Sequence, residues 1–236
     1  MVAALEFEAR SLGHSGDAAL ISISGIGAAN AERSARSLVA AGADALLSWG
    51  VAGALDPALG CGTAVLPLEV LHQQRRYATS AAWRERLLGA LSAHLPAVSG
   101  ALLSSDVAVS SAALKARLFA ATRAVAVDME SAAVAGVAAQ HGLPFLAVRV
   151  ILDTASDSLP ASIARAFEPP RSGRAESCEA AASAAGRPRL WPLLRAPADW
   201  GRLLGLALRY RVARRALERC RRFGDPTRAP AVQAGL

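Results

Sequence analysis

Two acidic residues of the sequence, Glu130 and Asp153, each stand just after a short apolar segment. In α/β proteins ligands bind outside the carboxyl ends of parallel strands, so acids at these positions are candidates for catalysis. The residues between them, 131–141, are rich in alanine and valine and predict one helix packed on a sheet. We therefore expect the two carboxylates to come from consecutive strands and to reach the same substrate.

The surroundings of these two acids predict different protonation states. Asp153 follows the apolar residues 145–152, and partial desolvation there should raise the pKa of its carboxyl, which could then donate a proton near neutrality. Glu130 begins a predicted helix, whose dipole should keep it ionised and able to accept two hydrogen bonds from neighbouring hydroxyls. Each acid also has a structural alternative: Asp153 could cap the turn after it, and Glu130 could only stabilise its helix.

The segments that carry these residues predict an α/β fold. It is a single three-layer domain with a mixed, mostly parallel central sheet flanked by helices, followed by a basic C-terminal helix. The strand 43–49 is expected to end at the glycine-rich run from Gly50 to Gly53. The predicted strands are 18–24, 43–49, 63–70, 100–105, 124–127 and 144–152, and the predicted helices are 28–41, 80–94, 110–121, 130–141 and 199–222.

Charge and composition divide the chain into three parts. Residues 1–160, with 11 basic and 13 acidic residues and a net charge of −2, are the expected catalytic domain. Residues 161–198 form a Pro- and Arg-rich excursion, and 199–236 a basic amphipathic helix and tail; together these hold 15 basic and 6 acidic residues, a net charge of +9. Apolar residues make up 53% of the chain, which excludes global disorder.

The C-terminal helix combines an apolar stripe with an arginine-rich remainder. A cationic amphipathic helix is typical of contact with a membrane surface or a partner, and a helix packed on its own domain with a solvated arginine face is an equal alternative. Nucleic acid is not expected as a partner, because no recognition motif accompanies the charge. The stripe consists of Leu203, Leu206, Tyr210, Ala213, Leu217 and Cys220.

Cysteine usage and the N-terminal residues favour a cytoplasmic protein, with the periphery of the inner membrane as a second location. Cys61, Cys178 and Cys220 show neither metal-ligand nor disulfide spacing, and the four histidines give no metal spacing. Residues 1–10 carry two glutamates and no basic leader, and no uncharged apolar run approaches the ~20 residues needed to span a bilayer. We expect no metal and no cofactor.

Six segments of the chain occur in the order and spacing of one family. They are residues 4–8, 24–27, 50–55, 104–111, 127–133 and 148–153. Together they resemble the purine/uridine phosphorylase superfamily, most closely its methylthioadenosine/S-adenosylhomocysteine nucleosidase branch, over residues 1–158. The continuation from Asp157 to Pro160 and the basic tail resemble the hopanoid-associated phosphorylases.

The resemblance implies cleavage of the N-glycosidic bond of an adenine nucleoside, with release of adenine. In that reaction Asp153 would protonate N7 of the purine, and Glu130 would hold the ribose hydroxyls with Met129 packed on the sugar. Glu8 would activate water, although a first-turn helix acid without a catalytic role is an equal alternative at that position.

The resemblance also implies the walls of the site, and two positions depart from the family pattern. The strand before Gly50 contains no arginine for binding phosphate, and Ala108 replaces the aromatic residue that stacks on adenine. The implied base and ribose pocket consists of Gly50, Val51, Ala52 and Gly53 with Val107, Ala108 and Val109, and the implied phosphate or acceptor region consists of Gly25, Gly27 and Asn30.

The narrower resemblance favours an adenosylated lipid such as adenosylhopane as substrate, with inorganic phosphate as co-substrate, in hopanoid biosynthesis. The alternative is hydrolysis of methylthioadenosine or S-adenosylhomocysteine by the same acids. A non-enzymatic alternative is a nucleoside-binding or membrane-associated scaffold that keeps the fold without turnover. The family also implies a homo-oligomer.

Overall fold

The structure, a computed structural model, describes residues 1–13, 19–158 and 200–229. The predicted excursion 161–198 and the end of the predicted tail lie outside these ranges. The strands are β1 (Val2–Ala3), β2 (Ser22–Ile23), β3 (Leu46–Ala54), β4 (Ala64–Val65), β5 (Glu69–His72), β6 (Arg75–Ala78), β7 (Ala97–Val98), β8 (Ala101–Ser104), β9 (Ala126–Asp128) and β10 (Phe145–Asp153). The helices are α1 (Glu6–Ser11), α2 (Ala28–Ala40), α3 (Ala81–Ser92), α4 (Ala112–Thr122), α5 (Ser131–Gln140) and α6 (Trp200–Gly224).

The strands form one mixed sheet in the order β6-β5-β8-β9-β3-β10-β4-β7, with β1 paired to both β2 and β3. Most neighbouring pairs run parallel; the antiparallel ones are β10 with β4, β3 with β9 and β5 with β6. The long central pair, β3 and β10, is parallel and in regular register from Phe145 opposite Leu46 to Ile151 opposite Ala52. The predicted mixed, mostly parallel sheet is confirmed.

Helices cover both faces of the sheet and give the predicted three layers. On one face α2 and α5 contribute residues such as Leu38 and Val134 to the core. On the other face α3 and α6 contribute Trp83, Leu87 and Leu217. Neighbouring residues of β3 and β10 fall in alternate clusters, because successive side chains of a strand point to opposite faces. The central strands are therefore buried on both sides, as parallel strands in such folds usually are.

The prediction that a strand ends before Gly50 is wrong. Strand β3 runs on to Ala54 and stays paired with β10 as far as Gly53. The glycines are strand residues at the positions where the carboxylates of Glu8 and Asp153 approach the backbone. Their missing side chains make room for these acids, and no turn is required there.

The predicted strand 63–70 is in fact two strands, β4 and β5. Pro67 lies between them and has no backbone N–H to donate to a ladder. The break moves the chain across the sheet, since β4 pairs with β10 and β7 whereas β5 pairs with β6 and β8. No strand was predicted at β1, β6 or β7, which are only two to four residues long. Helix α1 was predicted only through the alternative that makes Glu8 a first-turn helix acid, and Glu8 does lie in its first turn.

The C-terminal helix packs on the domain. Ala213, Leu217 and Cys220 of α6 are fully buried in the cluster that includes α3. Tyr210 meets Phe7 of α1 edge to face, with ring centroids 4.6 Å apart. These contacts confirm the predicted apolar stripe for its last four members and fix α6 against two other helices.

The two ends of α6 differ in what can be described. The side chains of Leu203 and Leu206, the first two members of the stripe, lie outside the described part of the structure. At the other end Arg86 of α3 donates to Gly224 O at 3.2 Å and so binds a terminal carbonyl of the helix. Within the described residues, no helix is long and apolar enough to cross a membrane.

Candidate active site

Glu8 of α1 is a buried carboxylate that binds three backbone N–H groups. Its Oε2 accepts from Ala4 and Leu5, both at 2.9 Å, and so satisfies donors at the start of α1. Its Oε1 accepts from Val51 of β3 at 2.9 Å. Burial raises the pKa of Glu8, while Arg149 and the backbone bonds act in the opposite direction. One side chain therefore stabilises its helix and also joins that helix to the central strand.

A chain of hydrogen bonds fixes α1 against β3. Trp49 Nε1 donates to Ser11 Oγ at 2.9 Å, and Ser11 Oγ donates to Glu8 O at 2.6 Å. Trp49 is fully buried and stands just before Gly50, near the place where the family pattern has a phosphate-binding arginine. This residue positions the helix of Glu8 and offers no positive charge to an anion.

Arg149, inside β10, is the cation at the centre of the site. Its Nε donates to Asp128 Oδ2 at 2.8 Å, and its Nη2 donates to the hydroxyls of two serines at 2.7 and 3.0 Å. Burial alone would lower the pKa of the guanidinium, but the charges of Asp128, Glu130 and Glu8 outweigh it and raise this pKa. Arg149 therefore compensates three acids from three different elements.

Glu130 is the N-cap residue of α5, and its carboxylate turns away from that helix towards the turn before α2. Its Oε1 accepts from the N–H of Gly27 at 2.8 Å, and its Oε2 accepts from the N–H of Met129 at 3.3 Å. Burial and the charge of Asp128 raise the pKa of Glu130 to about 7, although the charge of Arg149 opposes the shift. The prediction that the helix dipole keeps Glu130 ionised is wrong in direction, since this carboxyl titrates near neutrality.

Asp153 ends strand β10 and pairs with a lysine. It is buried, and its Oδ2 accepts a hydrogen bond from Nζ of Lys115, a fully buried residue of α4. Lys115 Nζ also donates to Thr154 O at 2.7 Å and to Asp157 O at 3.2 Å. Burial raises the pKa of Asp153, and the Lys115 ammonium opposes the shift. The predicted direction of this pKa shift is confirmed; the lysine was not predicted.

Strand β3 lies directly beneath two of the acids. A Cβ built on Gly50 would lie 2.7 Å from Glu8 Cδ and 3.0 Å from Arg149 Nη1, and one built on Gly53 would lie 3.2 Å from Asp153 Oδ2. Heavy atoms that close would force the carboxylates to move. Glu8 therefore lies at Gly50 and Asp153 at Gly53, at the two ends of segment 50–53 of β3.

The residues predicted to line the pocket differ in exposure. Val51 and Gly53 are partly exposed, whereas Gly50 and Ala52 are buried. Met129, predicted to pack on the sugar, is partly exposed beside Glu130. A bound molecule could therefore contact the side chains or backbone atoms of Val51, Gly53 and Met129, which are partly exposed.

The loop after β8 holds the three residues predicted to face the base. Val107 is 56% exposed and Val109 is 8% exposed, with Ala108 between them. Ser105 Oγ donates to Val107 O at 2.7 Å and accepts from Val107 N at 3.3 Å, so the backbone groups of Val107 already have partners. In the described residues, no hydrogen bond joins this loop to any of the three carboxylates.

The turn predicted as an anion site faces Glu130. Gly25 and Gly27 have φ angles of 79° and 100°, which glycine adopts without strain. The N–H of Gly27 is bonded to the Glu130 carboxylate, and Asn30 Nδ2 donates to Ile26 O at 3.0 Å. The anion held by this turn is therefore an acid of the chain itself, and Asn30 stabilises the turn.

The C-terminal helix contacts the loop that follows Asp153. Arg209 Nη1 lies 2.5 Å from Asp157 Oδ2, which also accepts from the N–H and the hydroxyl of Thr154 at 2.8 and 2.7 Å. Lys115 binds the same loop through the carbonyl of Asp157. Helices α4 and α6 together hold the chain immediately after the candidate acid.

Arg149 stands inside an apolar strand, a position that predicts pairing with an acid, and its bond to Asp128 confirms this. Reasoning from the sequence missed Lys115, the partner of Asp153. A signal for this residue was available, because Lys115 is the only lysine among 26 basic residues. A chain that otherwise uses arginine throughout has its lysine at the most deeply buried cationic position among the described residues.

Together these residues form a buried acidic site around the second half of β3, where Glu130 follows the antiparallel strand β9 and Asp153 ends the parallel strand β10. Glu8, Glu130 and Asp153 all have raised pKa values, but Arg149 compensates the first two and Lys115 the third. Carboxyls tuned by different surroundings can divide the roles of proton donor and proton acceptor. In the part of the chain that the structure describes, no group of His, Cys, Asp and Glu has the arrangement of a metal site.

Comparisons with known proteins agree with this architecture. The sequence model of the phosphorylase superfamily matches residues 4–183. Comparison with curated protein sequences gives no match.

Solved structures with a similar fold include three bacterial enzymes. The 5′-methylthioadenosine/S-adenosylhomocysteine nucleosidase from Neisseria meningitidis, in complex with methylthio-immucillin-A, is 23% identical with a TM-score of 0.59, over 66% of this chain and 85% of that chain. The Helicobacter pylori nucleosidase with butyl-thio-DADMe-immucillin-A is 21% identical with a TM-score of 0.60, over 66% and 84%. Native futalosine hydrolase of Helicobacter pylori gives the same four values.

Proposed function

The chain belongs to the phosphorylase superfamily and is an enzyme of the nucleoside phosphorylase and nucleosidase type, and from this premise we propose that it releases adenine from an adenine nucleoside. The observation that carries the proposal is the separate tuning of two acid groups, Asp153 beside Lys115 and the pair Glu8 and Glu130 beside Arg149. Two of the similar structures are nucleosidases named for adenosine derivatives, which supports the same substrate class.

In the proposed reaction Asp153 acts as the general acid. Its proton goes to N7 of the purine while the electron pair of the C1′–N9 bond passes to the base, so adenine leaves without a negative charge. Burial raises the pKa of Asp153 and so favours the protonated form that this step requires. A carboxyl in water would have lost this proton well below neutral pH.

Glu130 binds the ribose in this proposal. Its ionised carboxylate accepts hydrogen bonds from the two vicinal hydroxyls, in exchange for the bond from Gly27 or together with it. Because the pKa of Glu130 is about 7, binding of the sugar should strengthen as the pH rises through neutrality. Met129, partly exposed beside it, would pack on the sugar.

We propose water as the acceptor of the sugar. Phosphate, the acceptor expected from the sequence, would bring two negative charges next to Glu8 and Glu130. In the described residues the nearby cation Arg149 is already bonded to Asp128, and the N–H of Gly27 is bonded to Glu130. Glu8 is a carboxylate in a fixed position, and a general base for water needs position more than an extreme pKa.

Adenine release from defined nucleosides tests the reaction and the acceptor together. The purified protein is incubated with methylthioadenosine, S-adenosylhomocysteine and adenosylhopane, with and without phosphate, and adenine and the sugar product are identified by chromatography and mass spectrometry. We expect adenine and a free sugar in phosphate-free buffer. A strict requirement for phosphate, with a sugar phosphate as product, would contradict the choice of water.

The role of Asp153 has its own variant in this assay. Asp153→Asn should lower kcat by a factor on the order of 10² to 10⁴, with substrate affinity largely kept, because the amide cannot donate the catalytic proton. Asp44→Asn, at an exposed position in the loop before β3, is the matched control and should leave kcat unchanged. Full activity of Asp153→Asn would refute the general-acid role.

For the substrate we propose a lipid-linked adenine nucleoside such as adenosylhopane, taken from the surface of an anionic membrane. The resemblance of the tail supports this choice, and so does the outward surface of α6. At 100° per residue, six exposed side chains of α6 fall within an arc of about 100°. This cationic face consists of Leu208, Arg211, Val212, Arg215, Arg219 and Arg222.

The charges of the cationic face are available for a surface. In the described residues its four arginines make no ion pair, whereas Arg214, outside this face, pairs with Glu218 at 2.9 Å. Leu208 and Val212 are 54% and 47% exposed at the end of the face nearer the start of α6. An apolar end beside a row of cations is the pattern of helices that lie on anionic lipid surfaces.

Vesicle co-sedimentation tests the membrane proposal. Each arginine near an anionic surface contributes about 1 kcal/mol, so changing all four of the cationic face to glutamine should weaken binding to phosphatidylserine-containing vesicles about a thousandfold. Neutral vesicles should bind neither protein. The control changes four exposed arginines elsewhere, Arg10, Arg33, Arg36 and Arg117, and should keep most of the affinity for these vesicles. Equal losses in the two variants would contradict binding through the cationic face.

A homo-oligomer, implied by the family, stays a prediction.

A further inference from the structure

We infer that Lys115 is a positioning residue for Asp153: it decides which carboxyl oxygen carries the proton, and it stabilises the carboxylate left after the proton is given away. The inference rests on the proposed function, in which Asp153 is the proton donor. It assigns a role to a lysine outside the six segments on which the family resemblance is based.

The position of Lys115 is unusual for a lysine. Its side chain is 0% exposed, and it is the only buried residue of α4. Lysines are almost never fully buried unless they are paired, and here the partner is the candidate acid of the site. Since the chain uses arginine at every other basic position, a compact ammonium group at this one points to a requirement of the site.

The hydrogen bonds of Lys115 leave little freedom to Asp153. An ammonium has three donors and no acceptor, and its three bonds go to Asp153 Oδ2, Thr154 O and Asp157 O. Asp153 Oδ2 must therefore accept the hydrogen bond from Lys115, so the proton of the carboxylic acid has to be on Oδ1. In the described residues Oδ1 has no hydrogen-bond partner, so it is the oxygen left to meet the substrate.

The charge of Lys115 acts at the moment of proton transfer. The O–H bond at Asp153 Oδ1 breaks, an N–H bond forms at N7 of the purine, and the pair of electrons of the C1′–N9 bond goes to the departing base. Asp153 becomes a carboxylate in a buried place, where an unpaired negative charge is strongly unfavourable. The ammonium keeps its own protons and neutralises this charge, and the carboxyl takes a proton from water after adenine leaves.

Three other titratable or charged groups face Asp153. Asp157 comes from the following loop, Arg209 from α6 and Cys61 from the loop between β3 and β4. Burial would raise the pKa of Asp157, but its bonds to Thr154 and Arg209 outweigh burial and lower it. Burial raises the pKa of Cys61. Among the groups that face Asp153, a titration between the ranges of these two therefore belongs to Asp153 itself.

Because the chain has one lysine, the pair can be observed directly. Protein labelled with ¹⁵N-lysine gives a single Nζ signal, which should shift with pH as Asp153 gains or loses its proton. We expect one midpoint between the titrations of Asp157 and Cys61, equal to the pH at which kcat/KM falls on the alkaline side. The midpoint should vanish in Asp153→Asn. A signal that does not titrate, or a midpoint that persists in Asp153→Asn, overturns the inference. This test does not depend on the folding of a Lys115 variant.

The pH dependence of the rate provides the second test. In Lys115→Met the alkaline fall of kcat/KM should move up by about one pH unit or more, because the cation that favours the carboxylate is gone. Its kcat should drop on the order of a hundredfold with KM little changed, and Lys115→Arg should return the pH profile towards wild type. Arg84→Met, which removes a buried cation of α3 outside the site, should not move the profile.

The two tests separate this inference from the proposed function. A wild-type protein that releases no adenine from any nucleoside overturns the proposed function, and the inference falls with it. If the wild type is active and the alkaline fall of kcat/KM occurs at the same pH in Lys115→Met as in wild type, only the inference is overturned. If the loss of kcat/KM in Lys115→Met comes from a higher KM and the alkaline fall stays at the same pH, Lys115 has a purely structural role. This result also overturns the inference.

Discussion

Replacing Glu130 with glutamine should change how folding stability depends on pH. Burial and the charge of Asp128 raise the pKa of Glu130 from its ordinary value of 4.5 to about 7. Between these pH values the folded protein holds a proton that the unfolded chain has lost. The stabilising contribution of this group is therefore fully present below about pH 4.5 and is lost as the pH rises through about 7.

The size of the effect follows from the shift in pKa. A difference of about 2.5 units at 1.36 kcal/mol per unit corresponds to about 3 kcal/mol. Glutamine keeps an oxygen that can accept from the N–H of Gly27 but cannot ionise. A difference in folding stability between the amide and the protonated acid does not depend on pH, so it does not affect this comparison. Relative to wild type, Glu130→Gln should thus gain about 3 kcal/mol in free energy of unfolding between pH 4.5 and pH 8.

Urea unfolding followed by tryptophan fluorescence, at half-unit steps of pH, measures this difference. The control is Glu32→Gln, a half-exposed residue of α2 that pairs with Arg36. Its difference from wild type should stay nearly constant over the same range. Parallel stability curves for wild type and Glu130→Gln would refute the reasoning. They would mean that Glu130 is ionised in the folded protein throughout, and that the site compensates its charge better than the bond from Gly27 and the charge of Arg149 indicate.

Two further substitutions test the packing of the acid cluster. Gly50→Ala should lower the free energy of unfolding by about 1–3 kcal/mol, because the new methyl group displaces the Glu8 carboxylate, whereas Gly89→Ala, with no atom within 4 Å of its new Cβ, should be neutral or stabilising in the same urea assay. Arg149→Met should lower it by about 3–5 kcal/mol at pH 8, because buried acids lose their cation, and by less at pH 5, where Glu130 is protonated. A loss from Arg149→Met that is equal at both pH values would contradict the assigned charges.

The long elements of the fold could be predicted from the sequence because their patterns are local. The bounds of α2, α3, α5 and β10 agree with the predicted ranges to within two residues. The errors come from contacts that no local pattern contains. Gly50 and Gly53 were interpreted as the end of a strand, but they lie within it, and side chains from distant elements approach the strand there. Short pieces such as β1 exist only because β3 provides a partner.

The site could be predicted in its parts and not in its connections. Glu130 and Asp153 were identified from their place after apolar segments, and the structure puts both at the carboxyl ends of strands of one sheet. Their partners lie far away in the sequence: Gly27 is 103 residues from Glu130, and Lys115 is 38 residues from Asp153. Neither separation follows a period of a helix or strand, so only the folded chain could reveal these pairs.

The protonation of Glu130 shows why one local argument failed. A helix dipole stabilises a charge at the first turn by 0.3–1 kcal/mol when the site is exposed, which is less than about one pKa unit. Burial of a carboxyl shifts its pKa by up to about 3–5 units in the opposite direction, and Asp128 adds a second negative charge. The carboxylate also points to Gly27 and away from the N–H groups of α5, so the dipole acts on it only weakly. For Asp153 the same magnitudes predict the correct sign, since no dipole opposes burial there and the opposing term is the ammonium of Lys115. In a site as buried as this one, the sign of each pKa shift is decided by desolvation and by the nearest charges, and position on a helix is a minor term.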